Sequence, residues 1–367
     1  MARRGENVRK RTDGRWEGRY IEKYDSNGKA CYRSVYGSSY TDVKNKLKEH
    51  KKVTSNVSII NIENLCNEWL ESKALTVKQS TYTNYYSVIN NHIIPYFKNR
   101  KARYLTNENV ELFINEKTVK LSEKTVHDII VLLKQVIKFA VSKKYIEYFD
   151  FNVGQPKVKT KELSILSNYE HNKLINYIQL TFNINKIGVL LSLFMGVRIG
   201  EVCALKWEDV NFQTETLRIN KTMQRIKNLD ENAGTKTKIV IDTPKSQKSI
   251  RDIPIPSFMV DLMKKYKTGK DKYLLTGTVQ FIEPRVYQDM FKTYLNEAEI
   301  EDINYHALRH TFATNCITLG CDYKTVSELL GHANVNITLN LYVHPRYSQK
   351  KKCIDLVSKI FQEKANK

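Results

Sequence analysis

The sequence predicts a mainly α multidomain protein of α+β type. It has a small N-terminal β-sheet with one helix, a helical bundle, and a larger, mostly helical domain holding a small antiparallel sheet. Three observations predict it. The chain has 367 residues, too many for one ordinary domain and enough for two or three with their own cores. Up to about residue 55 the pattern alternates, whereas from about residue 60 apolar positions recur at helical spacing. A lysine-bearing stretch without periodicity then separates the helical region from the remainder.

Composition narrows the classes of partner. Lys and Arg number 60 against 39 Asp and Glu, giving +21 and a pI near 9.5. That is the electrostatic footprint of a protein that meets polyanions, with nucleic acid the leading partner. A lysine-rich surface also follows from an AT-rich coding bias, which the many Asn, Lys, Ile and Tyr residues suggest. The most apolar run, Ile187 to Val197, is about half the length a bilayer requires. No apolar segment follows the basic N-terminus, so we expect no membrane anchor and a cytoplasmic location. The six cysteines contain no CxxC pair, which fits reduced thiols better than a zinc ribbon or disulfide framework.

Residues 1–55 open with a basic arm containing Arg3, Arg4 and Arg11. The alternating segments RWEGRYIEKY and KACYRSVYG flank the turn signal Asp25-Ser26-Asn27-Gly28 and predict a hairpin, with a third strand possible. A basic helix from Thr41 carries Val43 and Leu47 as a narrow apolar stripe. Through Lys52 there are 15 basic and 7 acidic residues. A two-stranded ribbon exposing Arg15, Arg19, Arg33 and tyrosines suits a DNA groove, and a solvated sheet is the alternative.

Residues 58–150 read as a bundle. Ile62, Leu65, Cys66, Trp69 and Leu70 form a core-facing stripe; further helices carry Tyr82, Tyr86 and Ile89, then Val110, Phe113 and Ile114, then Val126 through Ala140. Lys78 is one of several exposed lysines able to grip phosphates or merely to solvate a face. Residues 151–165, with Gly154, Pro156, Lys157 and Lys159, read as a basic linker able to lie across DNA. Ser167 and Glu170 have capping-box spacing and start the domain at 166–350. There, helices at 167–180 and 186–206 precede the strand-like runs TLRINKTM, TKIVIDTP and IRDIPIP, and helices resume near 285. The tail, 351–367, places Ile354, Val357 and Phe361 on one helical face that needs a surface to bury against.

The third domain holds five local signals: Arg198 in GVRIGE, Lys245 in TPKSQKS, His306 with Arg309 in HALRHT, His332 in LLGHAN and Tyr342 in NLYVHP. Each alone is weak. Their order resembles that of the tyrosine recombinase family over the whole of the third domain. The bundle and the small N-terminal unit resemble the core-binding and arm-binding domains of integrases from phages and conjugative transposons.

The resemblance implies a site-specific recombinase that cleaves and rejoins DNA through a 3′-phosphotyrosine, integrating and excising a mobile element. Tyr342 is the implied nucleophile, and Arg198 and Arg309 bind the non-bridging phosphate oxygens. Lys245, favoured over Lys248, protonates the leaving 5′ oxygen. His306 is the candidate base, His332 hydrogen-bonds the scissile phosphate, and Glu201 braces Arg198. The same residue types follow from the chemistry. Phosphodiester transfer needs a nucleophile, cations for the developing phosphorane and a proton for the leaving group. Neither metal nor ATP is expected.

The implied assembly is a homo-tetramer on core and arm sites, with an excisionase and a host DNA-bending protein as further partners. A chromosomal dimer resolvase or DNA invertase of the same chemistry is the alternative enzyme. A DNA-binding regulator derived from an inactive recombinase is the non-enzymatic one. A zinc reading of His306 and His310 fails, because Ala307 stands where H-E-x-x-H has its glutamate and the cation Arg309 lies inside the motif. His310 is expected to pack or to hydrogen-bond locally.

Overall fold

The computed structural model describes residues 7–24, 30–54, 60–154, 156, 164–230, 232–244, 247–342, 351, 354–355 and 358. The chain divides into two compact units, Met1–Thr160 and Lys161–Lys367.

The first unit begins with an antiparallel sheet in the order β1 (Val8–Lys10), β2 (Trp16–Tyr24) and β3 (Ala30–Gly37). The third strand is thus the segment read as part of a basic arm; Val8 pairs with Gly18 and Lys10 with Trp16. The hairpin turn at Asp25 to Gly28 lies outside the described residues. Helix α1 (Tyr40–Thr54) packs on the sheet through Val43 and Leu47, which with Val8 form a small cluster of their own. The alternation of β2 and β3 leaves one face apolar for α1, while Tyr32, Tyr36, Arg19 and Arg33 stay exposed.

A separate core gathers the helices that follow. In α2 (Ile62–Ala74) the buried residues are those of the sequence stripe, Ile62, Leu65, Cys66, Trp69 and Leu70. The next helix, α3 (Gln79–Val88), widens into a π turn at Ile89–Ile93 before the short α4 (Ile94–Tyr96). Pro95 follows that turn and supplies no amide hydrogen to the helical ladder. Thr106 caps α5 (Asn107–Lys120) and Ser122 caps α6 (Glu123–Ser142), each accepting a bond from the third residue of its helix. Val126, Ile129, Ile130, Leu133, Val136, Ile137 and Ala140 of α6 run through the centre of this core.

The second unit starts at α7 (Asn168–Leu180), where Ser167 and Glu170 close a reciprocal capping box. The helix expected over 186–206 is two: α8 (Ile187–Met195), wholly buried but for Phe194, and α9 (Ile199–Ala204). Gly196, at φ 65°, ends α8 in the left-handed conformation that only glycine adopts cheaply, and the chain turns before Arg198. The run TLRINKTM also divides. One sheet orders β4 (Val210–Asn211), β5 (Thr216–Ile219) and β8 (Arg251–Pro254), and a separate ribbon pairs β6 (Thr222–Lys227) with β7 (Thr237–Asp242).

Helices resume earlier than the sequence reading placed them, at α10 (Ser257–Tyr266) and then α11 (Pro284–Glu297). Met259, Val260 and Met263 are the buried stripe of α10, hidden in the sequence behind the strand-like IRDIPIP. The unit closes with α12 (His306–Thr318), α13 (Tyr323–Leu330) and α14 (Val335–Tyr342). One large core packs α7 to α12 against the sheet; Ala313, Val326, Leu330 and Tyr342 form a smaller cluster beside it. In the tail, Ile354 is helical and exposed, and Val357 and Phe361 lie outside the described residues.

Candidate active site

Two helix C-termini organise the site. Gly196 caps α8, and Gly331, at φ 63°, caps α13. The last carbonyls of a helix have no intrahelical partner and carry the negative end of its dipole. Here arginines satisfy them. Arg309 Nη1 donates to Gly196 O at 2.5 Å and its Nη2 to Leu330 O at 2.7 Å. Arg251 Nε donates to Leu329 O at 2.6 Å, and Arg198 Nη2 to Gly331 O at 3.3 Å. The Leu329-Leu330-Gly331 stretch is therefore a helix end read by three guanidiniums. A side chain at Gly331 would lie 2.9 Å from Arg251 Nη1, so glycine is required there by both backbone and neighbour.

Glu201 balances this cationic cluster. It is the third residue of α9, and its Oε2 accepts the backbone N–H of Arg198 at 3.0 Å, fixing the turn that presents Arg198. Its Oε1 accepts from Arg198 Nη1 at 2.8 Å. Both oxygens meet Arg251 as a fork, at 3.2 and 3.0 Å. Burial alone raises the Glu201 pKa, but Arg251 first and Arg198 next outweigh it and hold the carboxyl below its usual range. Arg251, with a side chain 7% exposed, is the residue the sequence reading missed. Its Ile-Arg-Asp-Ile-Pro context reads as an ordinary strand, and nothing local signals a partner fifty residues upstream.

Arg309 is 2% exposed, whereas the Arg198 side chain is 31% exposed. Arg198 is thus the open arginine and Arg309 the embedded one. With two bonds made to carbonyls, Arg309 has three N–H groups left, and its fixed fork holds them in one orientation. Burial, then the charge of Arg198, lowers its pKa, yet a guanidinium stays protonated at neutral pH.

The histidines are neutral at pH 7. His306 is the first residue of α12 and reaches solvent at its edge, but partial desolvation and then Arg309 push it down to about 4. His332 follows Gly331, and its Nδ1 lies 2.8 Å from Oγ1 of the buried Thr338. Burial, then Arg309 and Arg198, push it down to about 3. Tyr342 ends α14 and is 8% exposed. Burial raises its pKa, and the nearby Arg309 and Arg198 partly offset that.

The imidazole that meets Tyr342 is His310. Its Nδ1 lies 2.6 Å from Tyr342 Oη, while His306 touches His310 ring edge to ring face at a centroid distance of 5.0 Å. The sequence expectation names His306 as the base; in the structure the histidine within hydrogen-bond reach of the phenol is His310. One helical turn on the same face of α12 separates the two.

Lys245 lies outside the described residues, between β7 and β8. Its rival Lys248 is described, exposed, and donates to Ala333 O at 3.1 Å, beside His332. Of the DNA-contact candidates, Arg3, Arg4, Lys157 and Lys159 also lie outside the described residues. Arg11 and Arg15 pair with Asp13, Arg33 pairs with Glu22, and the nearly buried Glu17 gathers Arg9, Arg11 and Arg19. Lys78 is the residue before α3.

The chain has clear relatives. Residues 164–349 match the phage integrase family, and residues 61–118 match the phage integrase N-terminal SAM-like domain. A XerC-like tyrosine recombinase of Caldanaerobacter subterraneus subsp. tengcongensis is 27% identical, covering 92% of this chain and 94% of that protein. The ICEBs1 integrase of Bacillus subtilis is 24% identical over 81% of this chain and 82% of its own. Among solved structures, the Tn1549 transposon integrase in complex with a circular intermediate DNA has a TM-score of 0.66 at 18% identity, covering 81% of this chain and 99% of that one. A lambda integrase dimer bound to a COC′ core site has a TM-score of 0.59 at 15% identity, over 94% and 97% of the two chains.

The fold is that of the DNA-strand-transferring integrases. The chain belongs to the phage integrase family, and it is a tyrosine recombinase of the phage and conjugative-transposon type.

Proposed function

We propose that this recombinase integrates and excises a mobile element by transesterification at Tyr342. In this reading Tyr342 Oη attacks a scissile phosphate, leaving a 3′-phosphotyrosyl bond and a free 5′ hydroxyl, which then attacks the phosphotyrosine of the partner duplex. Arg198, partly exposed and braced by Glu201, binds one non-bridging oxygen. Arg309 offers its remaining N–H groups to the other, and His332 donates from the Nε2 opposite Thr338. Lys245 is the acid for the leaving oxygen. The phosphotyrosyl bond conserves the energy of the phosphodiester, so the cycle needs no ATP, and in this reading Arg198 and Arg309 supply the charge neutralisation that a metal ion would otherwise give.

The observation that carries this reading is the convergence of Arg198, Arg309, His332 and Tyr342 on the ends of α8 and α13 from segments far apart in sequence. We take the N-terminal sheet, with Arg11, Arg15, Arg19 and Arg33, as the arm-site reader. The bundle with Lys78 and the linker with Lys157 and Lys159 would hold the core site, with Arg3 and Arg4 reinforcing the arm contact. Fold neighbours include integrases on DNA and a lambda integrase tetramer on a Holliday junction, which supports a homo-tetramer on two duplexes here. The tail around Ile354, Val357 and Phe361 would dock on a neighbouring protomer. An excisionase and a host DNA-bending protein complete the proposed partners.

The test is recombination between two plasmids carrying the element's attachment sites, run with chelator and without nucleotide. Recombinant circles passing through a Holliday junction are expected. A requirement for ATP or a divalent ion would overturn the scheme.

A further inference from the structure

We propose that His310 is a catalytic residue of this site: it holds Tyr342 Oη and accepts its proton as the phenol attacks phosphorus. The inference rests on the reading of Tyr342 as nucleophile.

Geometry comes first. His310 Nδ1 and Tyr342 Oη stand 2.6 Å apart, within the reach a general base needs. The rings are tilted by 51° with centroids 5.7 Å apart, so they are not stacked and the close contact is the one between Nδ1 and Oη. The nucleophile is thereby held by a base that is itself backed by a third group, since the His306 ring abuts His310 at 83°.

The protonation states fix the direction of the bond. Burial keeps the phenol protonated at neutral pH. Desolvation first, then Arg309, keeps His310 neutral. Tyr342 O–H therefore donates, Nδ1 accepts through its lone pair, and the imidazole carries its hydrogen on Nε2. Among the described residues, the charged or titratable groups facing His310 are Arg309 and His306 on its own helix and Tyr342 from α14. Arg309 disfavours an imidazolium in the free protein. A phosphate seated against Arg198 and Arg309 adds the negative charge that offsets it, so His310 becomes basic when substrate is present.

In the step, the Oη–P bond forms and the P–O5′ bond breaks. The phenolic proton passes to His310 Nδ1, and the leaving O5′ takes its proton from a separate acid. When a 5′ hydroxyl attacks the phosphotyrosine, it gives its proton back to the group that had served as the acid, the O5′–P bond forms as the Oη–P bond breaks, and His310 returns its proton to Tyr342. His306, at the solvent edge of α12, stays free to meet DNA.

The experiment follows single-turnover formation of the SDS-resistant adduct on a nicked attachment-site duplex, using full-length protein and His310→Ala, His310→Asn and Tyr342→Phe. Two substrates are compared: one with the ordinary 5′ oxygen, one with sulfur at that bridging position, whose thiolate departs without an acid. Thermal melting and gel shifts confirm folding and DNA binding, and the near-isosteric Asn variant decides if Ala does not fold. Both His310 variants are expected to slow adduct formation about a hundred-fold or more on both substrates. Wild-type rate in His310→Asn would reduce the histidine to a positioning contact and overturn the proposal. Rescue by sulfur would assign it to the leaving group, and faster cleavage in His310→Ala would make the bond a lock; either overturns it. Adduct formation by Tyr342→Phe would instead defeat the underlying reading of the nucleophile.

Discussion

Arg309 joins the ends of two helices: its two terminal nitrogens donate to Gly196 O at 2.5 Å and to Leu330 O at 2.7 Å. Arg198 is reached by the chain two residues after Gly196, and His332 immediately after Gly331. One guanidinium therefore sets the spacing of Arg198 and His332, the arginine and histidine proposed to bind the phosphate. Its structural role and its proposed chemical role belong to one set of hydrogen bonds.

Arg309→Lys separates charge from geometry. Lysine keeps the cation but is a point donor without a fork, so at least one helix end loses its partner. Stability is expected to fall by about 1.5–3 kcal/mol in urea unfolding, the range for a hydrogen bond to a charged group. Adduct formation is expected to fall roughly a hundred-fold or more as a phosphate donor is lost. A lysine variant as stable and active as wild type would contradict the joined role.

Glu201→Gln removes the only carboxylate that Arg198 and Arg251 share among the described residues. Breaking a buried pair leaves an uncompensated charge and costs roughly 3–5 kcal/mol. Combining Glu201→Gln with Arg251→Met should recover part of that loss, because the stranded cation is gone. Urea unfolding of the single and double variants measures it, and strictly additive losses would show that the two do not act as a pair.

Acidification should weaken the free protein. His332 is held at about 3 and His306 at about 4, well under the ordinary value of about 6.5. Between those values the unfolded chain binds more protons than the folded one. The stability these neutral histidines contribute is complete above about pH 6.5 and is lost as pH falls toward their folded values. Thermal melts should drop between about pH 7 and 5, and His332→Gln should flatten the curve. Equal slopes in wild type and variant would contradict the assignment to His332.

Much of the fold was legible because its signals are local. The apolar stripe of α2, the capping box at Ser167 and Glu170, and the alternation of β2 and β3 depend on neighbours a few residues away. What escaped depends on distance or on one backbone angle. The break between α8 and α9 needs Gly196 at φ 65°, and the sequence Phe194-Met195-Gly196-Val197 is otherwise apolar and helix-like. Arg251 could not be singled out, since its partners Glu201 and Leu329 lie 50 and 78 positions away. For His310 the sequence supports only packing or a local hydrogen bond, since its partner Tyr342 lies 32 positions away and only the placement of α14 brings that phenol to its Nδ1.

Tyr342, and no other of the 22 tyrosines, is the residue expected to become joined to DNA. The direct measurement traps the protein on a nicked attachment-site duplex, digests the SDS-resistant adduct and locates the 3′-phosphonucleotide by mass spectrometry. The modification is expected on the peptide containing Asn340-Leu341-Tyr342-Val343, and Tyr342→Phe is expected to bind the same DNA without forming any adduct. A modified residue elsewhere, or an adduct that persists in Tyr342→Phe, would contradict it.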